Sequence, residues 1–170
     1  KGGPASGWKE NERNQISEAV AIGAIKYMIL RSAIGGDIIF DIEKSVSTEG
    51  DSGVYLQYAH ARACSILEKA KMEKVKPKAK LPDGWQTLEV EKLLYRFPEV
   101  VARAGEEFAP HYIVNYLTEL ARAYNSFYGN AQIVKKDDPA SPYKVALSAA
   151  FARVMQNGLA ILGIQAPERM

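Results

Sequence analysis

Tyr55, Tyr58, Arg62, Ser65 and Lys69 recur at alternating intervals of three and four residues within GVYLQYAHARACSILEKAKM. On a helix turning about 100° per residue, these five side chains share one arc. Leu56, Ala59, Ala63, Ile66, Leu67 and Ala70 share another, roughly 120° away, with His60 on its edge. The second arc is a core face. The first mixes aromatic rings with two cations and a hydroxyl, a combination suited to unstacked nucleobases. Rings stack on base faces, phenols reach base edges, and cations neutralise phosphates. The other reading puts Tyr55 and Tyr58 at a boundary between helices with their hydroxyls in water. Geometry on the wheel leaves both readings open.

Other chemistry is poorly provided for. The histidines are His60 and His111, the cysteine is Cys64, and no spacing among them resembles a zinc site. His60 and Cys64 stand at i, i+4 and could be read as a nucleophile with its base. The pair straddles the core edge, however, and no third group orients it. The glycine pairs form neither a GxGxxG nor a GxxxxGK[ST] phosphate loop. The chain is therefore not expected to be a self-sufficient enzyme. On a later stretch, HYIVNYLTELARAYNSFYG, the residues Ile113, Tyr116, Leu117, Leu120, Tyr124 and Phe127 form one apolar arc, and Tyr124 and Phe127 are assigned to packing. Tyr128 lies at the end of that helix beside Gly129, where a side chain can leave the core for a ligand. The role of Tyr112, at the other end, is open.

The elements that must position these residues are helical. Apolar spacing predicts a helix from about Asn14 to Leu30, with Asn14 as its cap. Ile38, Ile39 and Phe40 form a short extended piece or the start of a helical turn, followed by the loop STEGDSG. A long helix is predicted from Gly53 to Met72. Next comes a connector with Lys69, Lys71, Lys74, Lys76, Lys78 and Lys80, read either as a solvated loop or as an arm tracking a phosphate backbone. Further helices are predicted over Thr87–Phe97, from Pro98 through PEVVARAGEEF, from Pro110 to about Gly129, and from Tyr143 to about Leu162. Gly163 is the expected C-cap of the last. No alternation is long enough for a sheet, so the fold class is all-α, a bundle of five or six helices.

The totals are those of an ordinary globular chain: 170 residues, 47% hydrophobic and 25% charged. A net charge of +2 and a pI near 8.6 are too mild to argue for nucleic acid by themselves. A lone cysteine permits no intrachain disulfide and fits a reducing, cytoplasmic setting. Neither a membrane span nor a signal leader is expected. Lys1 and KGGPASG read as a flexible lead-in or severed linker, residues 1–13, before a helical domain over 14–170. A fragment of a longer protein is the expectation.

Several segments, in order, resemble arginyl-tRNA synthetases. EGDSGVYLQYAHARACSILEKA is similar to the helix that follows that family's catalytic domain, usually EGNT-x-x-YLQYAH-x-R, with Asp51 and Ser52 where Asn-Thr is usual. FPEVVARAGEEFAPHYIVNYLTELARAYNSFY and NGLAILGIQAPERM resemble its later helices and its terminus, and AVAIGAIKYMIL and IIFDIEKSVS resemble its AVGIGAVKY and YVFDWDRALS. The resemblance implies an all-α anticodon-binding domain of the class I synthetase type. It implies that Tyr55, Tyr58, Tyr128 and Met170 contact the anticodon loop of an arginine tRNA, with Arg62 and Lys69 near phosphates. The family's HIGH-like and KMSKS-like signatures do not occur here. ATP and magnesium are thus implied for a catalytic domain outside this chain, which would also be a docking partner. An alternative is a non-catalytic helical scaffold that docks on another protein domain through the apolar side of the helix Ile16 to Met28. A broad exposed face there would make protein contact part of its role in either case.

Overall fold

The computed structural model describes residues 8–38, 41–48 and 50–170. The expectations for Ile39, Phe40 and the lead-in 1–7 lie outside the described residues, as does Glu49 of the EGDSG motif. Among the described residues there are six helices and no strand: α1 (Glu10–Leu30), α2 (Ile42–Ser45), α3 (Gly53–Met72), α4 (Glu89–Glu106), α5 (His111–Asn130) and α6 (Ser141–Ile161). The expected all-α bundle is the fold found.

The start of α3 is set by Ser52. Its Oγ accepts the Tyr55 N–H at 2.9 Å while its hydroxyl donates to the Ser47 carbonyl. The predicted apolar arc is the buried one, with Leu56, Ala59 and Ala63 at 0% exposure and Ala70 at 2%. This face packs chiefly against α6, and the start of α3 crosses α1. The crossing is close because it is built on glycines. A Cβ on Gly53 would stand 2.5 Å from the Gly23 carbonyl oxygen, and one on Gly23 would stand 2.8 Å from Nε2 of Gln57. Small residues here let the Gln57 carboxamide into a space that any side chain on Gly23 would fill.

Two helix boundaries differ from expectation. Asn14 is interior to α1, which begins a turn earlier; the Glu12 carboxylate reaches back to the Lys9 N–H at 3.0 Å and supports that first turn. Pro98 does not open a new helix but sits inside a continuous α4. Tertiary packing explains the continuity. Leu93 and Ala104 on either side of the proline are buried against the bundle, and the Tyr116 phenol of α5 donates to the Leu93 carbonyl at 2.9 Å. Pro98 itself is exposed, so its ring displaces no packing. Smaller shifts place the start of α6 at Ser141 with Pro142 in its first turn. Gly163 ends α6 as expected. At φ +65° it lets the Ile164 N–H reach the Leu159 carbonyl at 2.8 Å.

Glu91 ties three segments together. Its carboxylate accepts the Leu88 N–H at 2.7 Å, the Trp85 indole N–H at 3.0 Å and the Tyr143 phenol at 2.5 Å. Burial pushes this carboxyl up, but the donors from Leu88, Tyr143 and Trp85 outweigh it and hold it below its usual 4.5. Burial and the facing carboxylate push Tyr143 up to about 12, so it remains a donor. A depressed carboxyl binds fewer protons in the folded state, so folding gains stability as pH rises through that window. Glu91→Gln should therefore cost about 2 kcal/mol near neutral pH. The gap to wild type should shrink as pH falls below 4.5 and through the lowered folded value, read by urea denaturation at several pH values. A gap that stays constant into acid would show that the carboxylate charge is not what these donors hold.

Candidate nucleic-acid interface

Arg62 stands at the centre of the predicted polar arc. Its guanidinium carbon lies 4.9 Å from the centroid of the Tyr58 ring and 4.9 Å from that of Tyr128. Each is a cation–π contact. The two tyrosines come from different helices, Tyr58 from α3 and Tyr128 from the last turn of α5, and the arginine holds them as a pair. They are 37% and 40% exposed, a large aromatic surface left open to solvent.

A relay of hydrogen bonds fixes the arginine. Arg62 Nη1 donates to Asn125 Oδ1 at 2.5 Å, and Asn125 Nδ2 donates to the Tyr55 phenol oxygen at 2.9 Å. Tyr55 is half-buried against the core and is not among the residues lining the groove, whereas the Tyr58 ring is open to solvent. The wheel put both tyrosines on one arc but could not see Asn125, which α5 brings up to meet one of them.

The remaining predicted residues gather on the same open groove: Lys69, Tyr128 and Met170 line it with Tyr58 and Arg62. Lys69 has an exposed, long pairing with Glu73 at 3.8 Å, which leaves its charge available. Trp8 and Arg169 also line the groove, the Arg169 guanidinium 5.9 Å from the Trp8 ring. Sequence reading passed over both. Trp8 lies within the stretch read as a lead-in, and Arg169 within the terminal motif NGLAILGIQAPERM. Tyr112 is drawn elsewhere, donating to Glu107 at 2.6 Å beneath the Arg103 guanidinium.

Two further features settle local questions. Asp51, a carboxylate just before α3, is bonded by Arg122 of α5, so its charge is met at the start of α3. Cys64 Sγ lies 3.6 Å from His60 Nε2. Burial, followed by the Glu168 and Glu68 carboxylates, pushes its thiol up from the usual value of 9.0. A protonated thiol is a poor nucleophile, and this argues against a catalytic couple, while the His60 imidazole is held through Nδ1 by the Pro167 carbonyl at 2.9 Å. Among the described residues no three His, Cys, Asp or Glu side chains converge to hold a metal ion, and no helix is long and apolar enough to cross a membrane.

Comparison with known proteins agrees with this geometry. An arginine–tRNA ligase of Thermococcus kodakarensis is 38% identical over 175 aligned positions, covering 95% of this chain and 26% of the relative. One from Cutibacterium acnes is 40% identical over 164 positions, covering 89% of this chain and 30% of the relative. Among solved structures, the arginyl-tRNA synthetase of Thermus thermophilus superposes with a TM-score of 0.77 at 34% identity, over 93% of this chain and 28% of that one. The chain thus spans between about a quarter and a third of the length of these relatives. A model of the DALR anticodon binding domain matches residues 56–170, which include α3 from Leu56 onward, α4 to α6 and most of the groove. With that match over most of its length, the chain belongs to the DALR anticodon binding domain family.

Proposed function

We propose that this chain holds the anticodon loop of an arginine tRNA for a longer arginine–tRNA ligase, whose catalytic portion attaches arginine using ATP and magnesium. The observation that carries the reading is the Tyr58–Arg62–Tyr128 stack on an open groove. Unpaired bases lie on the two rings and on Met170, a polarisable thioether suited to a base face. Arg62, Lys69 and Arg169 meet the phosphates. Tyr55 contributes by holding Asn125, and through it Arg62, in place. Titrating the chain with the anticodon stem-loop of an arginine tRNA, against a stem-loop with another anticodon, tests this. Tighter binding of the arginine loop is expected. Equal binding of both would sink the anticodon assignment.

Docking on the catalytic portion of the same parent is supported by α1. Its outward face carries Ile22, Ile25 and Ile29 at 43%, 48% and 48% exposure, and beyond it Ile34, Ile38 and Ile42 are exposed as well. Such a run of large aliphatic side chains is costly in water and is suited to burial against protein. Since the chain is only about 26% of one relative's length, the rest of such a parent supplies the covering surface. In this reading the scaffold role and the RNA role belong to opposite jobs of one domain.

A further inference from the structure

The segment that follows α6 is tied down by side chains at alternate residues. Lys26 of α1 donates to the Gly163 carbonyl. Gln57 of α3 donates through Nε2 to the Gln165 carbonyl at 2.9 Å and to the Ala19 carbonyl of α1 at 3.0 Å. His60 of α3 meets the Pro167 carbonyl through Nδ1 at 2.9 Å. Gly163, the turn residue at φ +65°, begins the strap, and residues 165 and 167 follow it at intervals of two. Three donors from two helices thus meet three alternate carbonyls of one strap. Gln57 and His60 are themselves 0% and 2% exposed, and neither touches the groove. The strap then delivers Arg169 and Met170 to the groove that Tyr58 lines.

We infer that Gln57 and His60 are positioning residues of the RNA site, acting through this strap to hold Arg169 and Met170 where a splayed nucleotide meets them. The inference rests on the RNA-binding reading above. It accounts for the polar residues that interleave with the tyrosines in YLQYAHAR. Tyr58 and Arg62 line the groove, and Gln57 and His60 bond the strap that brings Arg169 and Met170 to it. The Pro167 carbonyl requires a proton on Nδ1 of His60, so this ring acts as a donor to the strap.

The test separates strap from RNA. Carboxypeptidase Y is applied to the 170-residue chain, and release of Met170 is followed by mass spectrometry. His60→Ala, confirmed folded by circular dichroism, should release Met170 about tenfold faster than wild type, the ratio expected for one lost buried hydrogen bond. His60→Asn, which keeps a donor near the Nδ1 position, should restore most of the protection. Lys26→Met removes a surface donor without opening the core and should speed release about threefold, so a folding failure of His60→Ala leaves the inference testable. Arginine stem-loop affinity should fall in His60→Ala and fall further in a chain lacking Arg169 and Met170, and combining the two should lose no more than the truncation alone. Wild-type release rates in the folded variants, or losses that add in the combination, overturn the inference. Failure of the wild-type chain to bind the stem-loop overturns the RNA reading instead, and the release rates then judge the strap alone.

Discussion

Arg62→Ala should weaken binding of the arginine anticodon stem-loop by about 5- to 150-fold, and Tyr58→Ala by about the same factor, for different reasons that salt will separate. Tyr58 offers a ring face, and stacking of a base on an aromatic ring contributes about 1–3 kcal/mol by alanine substitution. Its removal leaves the cations in place, so the slope of log affinity against log salt should be unchanged. Arg62 does two things. It brings a charge to the phosphates, and its guanidinium contacts two rings whose centroids each lie 4.9 Å from it. Its loss should flatten the salt slope by about 0.7, the increment for one phosphate on single-stranded nucleic acid. It should also release Tyr128 from Tyr58 and leave Asn125 Oδ1 without its donor. Arg62→Lys keeps the charge but not the planar contact with two rings, so it should recover the slope and not the affinity. Titrations at several salt concentrations measure all three variants. Wild-type affinity in a folded Tyr58→Ala chain would remove the aromatic face from the mechanism.

What could be read from the sequence followed the reach of local rules. The α3 arcs were legible because helical spacing fixes which side chains share a face, and the buried arc found is the one predicted, down to Ala59 and Ala63 at 0% exposure. Gly163 was legible because a positive φ after a helix is a local demand that glycine meets best. Pro98 misled because its penalty is local, whereas the packing of α4 on α5 that overrides it is not. Asn14 misled in a similar way: a cap-forming residue is a local signal, and the helix extends past it to where Glu12 can serve the first turn.

The site divided along the same line. Tyr58, Arg62, Lys69, Tyr128 and Met170 were named from the sequence and share one groove. Their mutual arrangement was not legible, since Tyr58 and Tyr128 are 70 residues apart and meet only through Arg62. Asn125, Trp8 and Gln57 carry no periodic or compositional mark. Gln57 in particular, at 0% exposure, is a buried amide in a motif that reads as polar. Its place depends on a glycine 34 positions away on another helix, Gly23. Wherever a residue's role is set by a partner remote in sequence, only the fold could disclose it.

Phe151→Ala should cost about 3–5 kcal/mol of stability, more than the loss of any ion pair on the surface. The Phe151 and Tyr124 rings stack 3.8 Å apart at 7°, both fully buried, one from α6 and one from α5. Removing the phenyl group loses its transfer from water and leaves a cavity that two rigid helices close only in part. By comparison the Arg122–Asp51 pair has side chains 60% and 43% exposed, and a screened pair of that kind is worth about 0–1 kcal/mol. Urea denaturation of Phe151→Ala, Phe151→Leu and Arg122→Ala should therefore rank them in falling order of damage, with the leucine variant intermediate because it refills part of the space. The core also carries function, because Tyr124 adjoins Asn125 and lies one turn before Tyr128 on the same helix. A cavity under Tyr124 should loosen both, so Phe151→Ala should bind the stem-loop less tightly even where it is fully folded. Should Arg122→Ala prove the more damaging variant, surface charge rather than the stacked rings would be what joins α5 to its neighbours, and the rigidity of the groove would need another source.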